Sequence, residues 1–354
     1  MDKNPLIPQS YQNLHKKIRD RLKMKRRDFF NVCYGLMGLS TVLVSCNTKN
    51  SNTKLVRLGY QNSGDLIAHQ KKVMEKRLAP LGVNVQWSLF LSGPPLLEAL
   101  DAGSIDLGPT GETPPIFAQA AGSKLVYLAN IPGLTAQAKA IIVPKDSAIR
   151  TLTDLKGKKV AYARGTALTY FLVKALEEVG LKLSDIKPVN LTTIDGRSAF
   201  LNKTVDAFVA SDPSLLQLQQ KTSIRILRDG TGIETPGGYY LASREFATNN
   251  PDVVKAILEE YYKVGQWTNN NRREAAEIIA PKIKVDVPTM EQLLSRRDFD
   301  MKPITEEVIN AQQQVADLLY DLKIIPKQVD VRLGTLTPTE YAAITPNIIS
   351  KKAH

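Results

Sequence analysis

The chain has 354 residues, 43% apolar and 23% charged, an ordinary globular composition that excludes disordered and fibrous classes and allows two or three domains of ~100–200 residues. No apolar run long enough to cross a bilayer lies beyond the first fifty positions, which excludes a multi-span membrane protein. Two cysteines, Cys33 and Cys46, and three scattered histidines, His15, His69 and His354, exclude a disulfide framework, a cysteine-based zinc site and an ordinary Ser-His-Asp arrangement, so no metal and no cofactor is expected.

Half of the net charge of +12 sits at the start, where residues 1–45 carry nine Lys or Arg against three Asp. Beyond them basic and acidic residues are interspersed, and no basic run carries interleaved aromatics. Nucleic acid is therefore not expected as a partner.

Residues 1–46 read as an export signal. Lys25-Arg26-Arg27-Asp28-Phe29-Phe30 precedes a weakly charged stretch from Asn31 to Ser45, a basic segment followed by an apolar one. The Arg-Arg-x-Phe-Phe pattern resembles a twin-arginine signal. Leu43-Val44-Ser45-Cys46 resembles a lipoprotein cleavage site, in which the Cys46 sulfur takes the lipid. Met24 is an alternative start to Met1. Residues 47–53 are a polar linker.

Strand and helix signals then alternate. Leu55–Tyr60 has strand periodicity, 64–79 reads as a helix stopped at Pro80, and Val83–Leu89 is a second strand. A helix follows Ser92-Gly93-Pro94-Pro95, Ile105–Gly108 is a strand, and Thr110-Gly111-Glu112-Thr113-Pro114-Pro115 leads into a helix over 115–121. Lys124–Ala129 and Lys139–Val143 are strands. A second such run has a short helix at 151–156, strands at Lys158–Tyr162, Pro188–Leu191, Asp206–Ala210 and Ile224–Leu227, and helices at Thr166–Val179, 196–203 and 213–220. Residues 237–242 form one more strand, and 251–320 are mostly helical. Alternation of this kind predicts an α/β protein with parallel-rich sheets covered by helices on both faces.

Three loops, at Ser92–Pro95, Thr110–Pro115 and Arg164-Gly165-Thr166, each combine glycine with a hydroxyl and open a helix after a strand. Ligands of open α/β sheets sit at the carboxyl ends of strands. Helix N-termini there offer free N–H groups and partial positive charge, which suits an oxoanion. No phosphate-binding Gly-x-x-x-x-Gly-Lys-Ser/Thr or Gly-x-Gly-x-x-Gly pattern occurs, so nucleotide enzymes are disfavoured.

The stretch SGPPLLEALDAGSIDLGPTGETPPIFAQAAG at 92–122 resembles the periplasmic aliphatic-sulfonate-binding proteins of ABC importers. So do AIIVPKDSAIRTLTDLKGKKVA at 140–161, Asp212-Pro213, GGYYLAS at 237–243 and NAQQQVADLLYDLKIIPKQVDV at 310–331. The resemblance covers residues 54–335 and implies a two-lobe, type II periplasmic-binding-protein fold with a ligand cleft between lobes. The crossings would fall near Ile141–Pro144 and Pro236–Leu241. One lobe would comprise 54–142 with 241–335, the other 143–240, and 336–354 would be a C-terminal tail.

By the same resemblance the cleft is lined by Gln61, Ser92, Gly93, Thr110, Gly111 and Glu112 from one lobe. The other adds Gly165, Thr166, Ala167, Ser211 and Asp212. The family usually has Trp before the Asp-Pro pair and Asp after the Thr-Gly pair, where Ser211 and Glu112 stand here. Its Ser-Asn/Ser-x-His loop is replaced by Thr166-Ala167-Leu168-Thr169. Of the remaining candidates, Arg197 reads either as an anion partner or as a lobe-internal pair with Asp195. His69 reads as structural or solvated, and Tyr239 and Tyr240 as strand residues.

The implied function is a non-catalytic, extracytoplasmic solute-binding component. It would bind an aliphatic sulfonate and pass it to a membrane permease with its ATPase, from a periplasmic position held by a lipid on Cys46. Taurine, nitrate or another small anion is the alternative ligand. A thiamine-pyrimidine-synthase-like enzyme on the same fold is the alternative class, disfavoured because such enzymes rely on a Cys-rich motif and clustered His.

Overall fold

The computed structural model describes residues 54–350, apart from Ser63 and Glu234. The export-signal, lipid-site and linker expectations at 1–53 lie outside the described residues.

Among the described residues, ten strands form two five-stranded sheets. The first contains β1 (Lys54–Tyr60), β2 (Val83–Leu89), β3 (Leu107–Thr110), β4 (Leu125–Ile131) and β10 (Gly238–Ser243), in the order β2-β1-β3-β10-β4. The second contains β5 (Lys139–Pro144), β6 (Lys159–Tyr162), β7 (Lys187–Asn190), β8 (Ala207–Ser211) and β9 (Ile224–Asp229), in the order β7-β6-β8-β5-β9. β1 pairs in parallel with β2 and β3, and β6 with β7 and β8. The antiparallel strand in each sheet is the one entered from the other lobe: β10 lies between β3 and β4, and β5 between β8 and β9.

Both sheets are covered on both faces, which the sequence shows as strands of nearly continuous apolar residues. All seven residues of β4 are buried. Alternation along the strands splits each lobe's core in two. In β10, Tyr240 and Ala242 join a cluster with Leu58, Ile67, Ile257 and Tyr261, while Tyr239 and Leu241 join Leu96, Ile116, Tyr127 and Leu319. In β5, Ile141 and Val143 pack with Phe171 and Leu172, and Ala140 and Ile142 with Phe200 and Phe208.

The chain enters the second sheet earlier than the expected crossing. β5 is laddered to β8 from Lys139 onward, in register Lys139 with Ser211. Ala140, Ile141 and Ile142 are fully buried on the two faces of that sheet, so this apolar run is sheet interior. The connection is 132–138, with Pro132, Gly133 and a 3-10 turn at Ala136–Ala138. The return crossing ends at Gly238, where β10 begins. Residues expected as a C-terminal tail carry the helices Pro338–Ile344 and Asn347–Ser350. Ile344 and Ile349 are buried in the first lobe's core, and the Tyr341 hydroxyl donates to the Tyr127 carbonyl at 2.9 Å. The helix expected over 64–79 is broken at Lys72, which takes left-handed backbone angles between Gly64–Lys71 and Val73–Leu78.

Candidate functional site

A cavity of about 250 Å³ lies between the two sheets, at the ends of the central strands. From the first lobe it is lined by Gln61 after β1, Thr110-Gly111-Glu112 after β3, the start of the 132–138 crossing, Gly237-Gly238 and Arg297. From the second it is lined by Lys139, Thr166-Ala167-Leu168, Thr193 and Ser211. Placement at strand carboxyl ends follows the rule for open α/β sheets.

Local chemistry explains each position. The Gln61 amide donates to the Pro109 carbonyl at 2.9 Å, tying the end of β1 to β3. Thr110 is the last residue of β3 and is buried, and its hydroxyl has no hydrogen-bond partner. Glu112 stands before the helix Thr113–Ala121 without capping it through its side chain. Pro114 and Pro115 have no N–H, so the first turn of that helix offers fewer free donors than the loop pattern promises. Thr166 caps the helix Ala167–Glu177: its hydroxyl accepts from the Leu168 amide at 3.3 Å and donates to the Ala163 carbonyl at 2.7 Å. Gly237 has φ 84°, and a side chain there would collide with the Ile131 carbonyl and Pro132. Only glycine lets the two crossing segments approach this closely. Asn130 ties them further by donating to the Pro236 and Gly238 carbonyls at 2.7 and 3.0 Å.

Of the residues expected in the cleft, Gln61, Thr110, Gly111, Glu112, Thr166, Ala167 and Ser211 are brought together around the cavity. Four are not among its lining residues. Ser92 stands at the start of the helix Gly93–Asp101, and Gly93 packs directly beneath Thr110 and Pro114. Gly165, at φ 78°, donates its amide to the buried Thr169 hydroxyl at 3.0 Å. Asp212 accepts from the Leu216 amide at 3.1 Å and is paired with Arg296 at 3.3 Å. Arg197 donates to Gln217 inside its own lobe, and His69 packs against Tyr60 and Trp87 with ring centroids 4.7 and 5.2 Å away.

Sequence reasoning missed the two cations of the cavity, Lys139 and Arg297. The signal for Lys139 was present: a lone lysine opening an otherwise apolar strand, KAIIVP, has to leave the core or be held in a polar site. It is only 7% exposed. Burial pushes its ammonium down from the ordinary lysine range, against the pull of Glu112. Burial likewise pushes the Glu112 carboxyl up, with a hydrogen bond from its own backbone amide and the charge of Lys139 opposing. Arg297 has a buried Nε without a partner, and its guanidinium lies 5.5 Å from the Phe299 ring. The cavity thus presents two cations, one carboxyl and an unused hydroxyl, an arrangement suited to a small anion.

Residues 94–275 match the family model described as NMT1/THI5 like. The chain is 37% identical over 309 residues, 86% of its length, to an aliphatic sulfonates-binding protein of Escherichia coli, 95% of which is covered. It resembles the crystal structure of the Escherichia coli periplasmic aliphatic sulphonate binding protein, with TM-score 0.75, 38% identity, and coverage of 80% of this chain and 92% of that one. The alkanesulfonate-binding protein of Xanthomonas axonopodis, solved with MOPS bound, matches with TM-score 0.76 and 35% identity over 80% of this chain and 98% of that one. The desulfurization enzyme DSZB, at 14% identity and TM-score 0.60, shares the fold alone. With two β-sheets facing one cation-lined cavity, and with this identity sustained over most of its length, the chain belongs to the NMT1/THI5-like family and has the periplasmic-binding-protein fold.

Proposed function

We propose that the protein is the extracytoplasmic solute-binding component of an ABC importer, that it binds an aliphatic sulfonate without transforming it, and that it passes the ligand to a permease and its ATPase. The observation that carries this reading is the cavity itself. Lys139 and Arg297 supply positive charge, and Thr110 a free hydroxyl, between two lobes of a chain 37% identical to an aliphatic sulfonates-binding protein. Hydrogen bonds from such groups to an anion are the stronger, charge-assisted kind. Two lobes joined by two crossings suit closure over the ligand by hinge bending. The enzyme reading has less support, since no cysteine follows Cys46 and His69 is engaged with Tyr60 and Trp87.

Titration calorimetry with ethanesulfonate, butanesulfonate, MOPS, taurine, nitrate and sulfate tests the reading. At least one sulfonate should bind with about micromolar affinity, near −8 kcal/mol. No heat from any sulfonate at millimolar concentration overturns the sulfonate assignment, and a response to nitrate or sulfate alone would move the protein to another anion class.

We propose further that a lipid on Cys46 holds the protein at the membrane on its periplasmic side. The Leu43-Val44-Ser45-Cys46 run after an apolar stretch supports this. Cys46→Ala should leave the precursor unprocessed or shift the protein to the soluble fraction. A membrane-bound variant with the mature mass would contradict the anchor.

A further inference from the structure

Gln312 is fully buried in the first lobe. It stands on the helix Glu306–Asp321, whose other buried residues, Ile309, Val315, Ala316 and Leu319, all join one apolar cluster. An amide at such a position costs free energy unless its donors and acceptor are paired. Here both N–H groups and the carbonyl are engaged. Nε2 donates to the Glu112 carbonyl at 2.6 Å and to the Tyr127 hydroxyl at 3.4 Å, and Oε1 accepts from the Tyr239 hydroxyl at 3.2 Å. The Tyr127 hydroxyl donates in turn to Gln119 Oε1 at 2.9 Å. Burial pushes both hydroxyls above the ordinary tyrosine value, so each keeps its proton.

The network grips the cavity wall from behind. Glu112 stands before the helix Thr113–Ala121 and Gln119 lies near its end, so Gln312 and Tyr127 hold that helix at both ends. Tyr239 pairs with Thr110 in the β3–β10 ladder. Thr110, Gly111 and Glu112 line the cavity, while Gln312, Tyr127 and Tyr239 are not among its lining residues. The Glu112 side chain makes no capping bond to its helix, and Pro114 and Pro115 bring no N–H. The Gln312 amide therefore supplies an anchor that the loop does not provide for itself.

We propose that Gln312 is a positioning residue of the anion site: its amide fixes the Glu112 carbonyl, and with it the loop that carries the Thr110 hydroxyl, without reaching the ligand itself. The inference takes its ligand from the sulfonate reading above and adds a residue that acts behind the cavity wall. Groups that face a ligand are held in place by neighbours locked through packing and hydrogen bonds. A fully paired buried amide admits few alternative arrangements. Removing it loosens the loop while leaving every lining residue present.

The test is calorimetry of the full-length protein with butanesulfonate and MOPS, combined with amide hydrogen exchange. Gln312→Met, close in size and without the amide, should weaken binding about fivefold or more, the scale of one hydrogen bond. In a Thr110→Val background the same substitution should change affinity by less than about twofold, because the hydroxyl it positions is gone. A residue that only stabilises the fold would cost the same factor in both backgrounds. Tyr239→Phe keeps the ring and the glutamine but removes the donor that orients it, and should weaken binding about two- to threefold. Exchange at residues 111–113 should rise about tenfold in Gln312→Met, while exchange in the second lobe stays at the wild-type rate. Circular dichroism confirms that each variant is folded. Where Gln312→Met is not, Tyr239→Phe decides, alone and with Thr110→Val, by the same two measurements. Unchanged affinity in both variants, equal losses in the two backgrounds, or unchanged exchange at 111–113 overturns the inference and leaves the sulfonate reading standing. Binding of no sulfonate by the wild type removes the sulfonate reading, and exchange at 111–113 then decides the positioning role by itself.

Discussion

Asp212 and Arg296 meet across the two lobes, the Arg296 Nη1 lying 3.3 Å from Asp212 Oδ2. Asp212 follows β8 in the second sheet, and Arg296 follows the helix Val287–Ser295, whose Met290 and Leu294 belong to the first lobe's core. Arg296 also reaches the Gln137 carbonyl in the crossing and the Gln219 amide oxygen. Burial raises the Asp212 carboxyl above its ordinary range despite the arginine and the Leu216 amide. The pair therefore acts as a clasp beside the 132–138 crossing, held at some cost in desolvation.

A double-mutant cycle of Asp212→Asn and Arg296→Gln measures the clasp. The side chains are 8% and 16% exposed, so a coupling energy of ~0.5–3 kcal/mol is expected from urea unfolding. Additive effects of the two substitutions would show that the contact contributes nothing between lobes.

Thr110→Val keeps the shape of a buried residue and removes a hydroxyl that has no partner within the protein. Loss of a donor to an anion costs ~1.5–3 kcal/mol, about ten- to a hundredfold in affinity. Stability should hold or rise, because no internal hydrogen bond is lost. Calorimetry and a melting curve on one sample separate the two effects. Unchanged affinity would place the head group elsewhere in the cavity.

Gly93→Ala acts from below the site. The added methyl would collide with the Thr110 hydroxyl and the Pro114 ring. Overpacking of this kind costs ~1–3 kcal/mol, and it should also weaken ligand binding by displacing Thr110. A melting temperature equal to wild type would mean that the helix Gly93–Asp101 can shift without strain.

The Glu112 carboxyl is raised above 4.5 by burial, so the folded state holds its proton more tightly than the unfolded chain. Its unfavourable contribution is absent below pH 4.5 and grows as pH rises to the folded value. Glu112→Gln should therefore gain stability over wild type as pH rises through that window, then level off. Chemical denaturation of both proteins at pH 4 to 8 checks the sign. A difference independent of pH would show that Glu112 does not titrate differently in the folded protein.

Several elements were legible because local signals and tertiary packing agree in them. Val83–Leu89 is a strand over the predicted residues, and Thr166 caps its helix as the hydroxyl before an apolar run suggests. The strand expected at Ile105–Gly108 lies two residues further on. Asp106 instead turns back to pair with Arg57 at 2.5 Å, and the strand runs Leu107–Thr110. The break at Lys72, in left-handed backbone angles, carries no glycine or proline to announce it.

By itself the sequence determined the α/β class, the alternation that builds two sheets, and the loop chemistry that brings Thr110 and Thr166 toward one place. Those features depend on periodicity and on residues near one another in the chain. Only the tertiary structure decided that Ser92, Gly93 and Asp212 stand behind or beside the cavity, and that Lys139 and Arg297, 158 positions apart in number, both line it. The reason is that β5 and β10 cross between lobes and insert antiparallel between distant strands. Which charges face one another is therefore set by long-range sheet pairing, and local sequence carries no record of that partner choice.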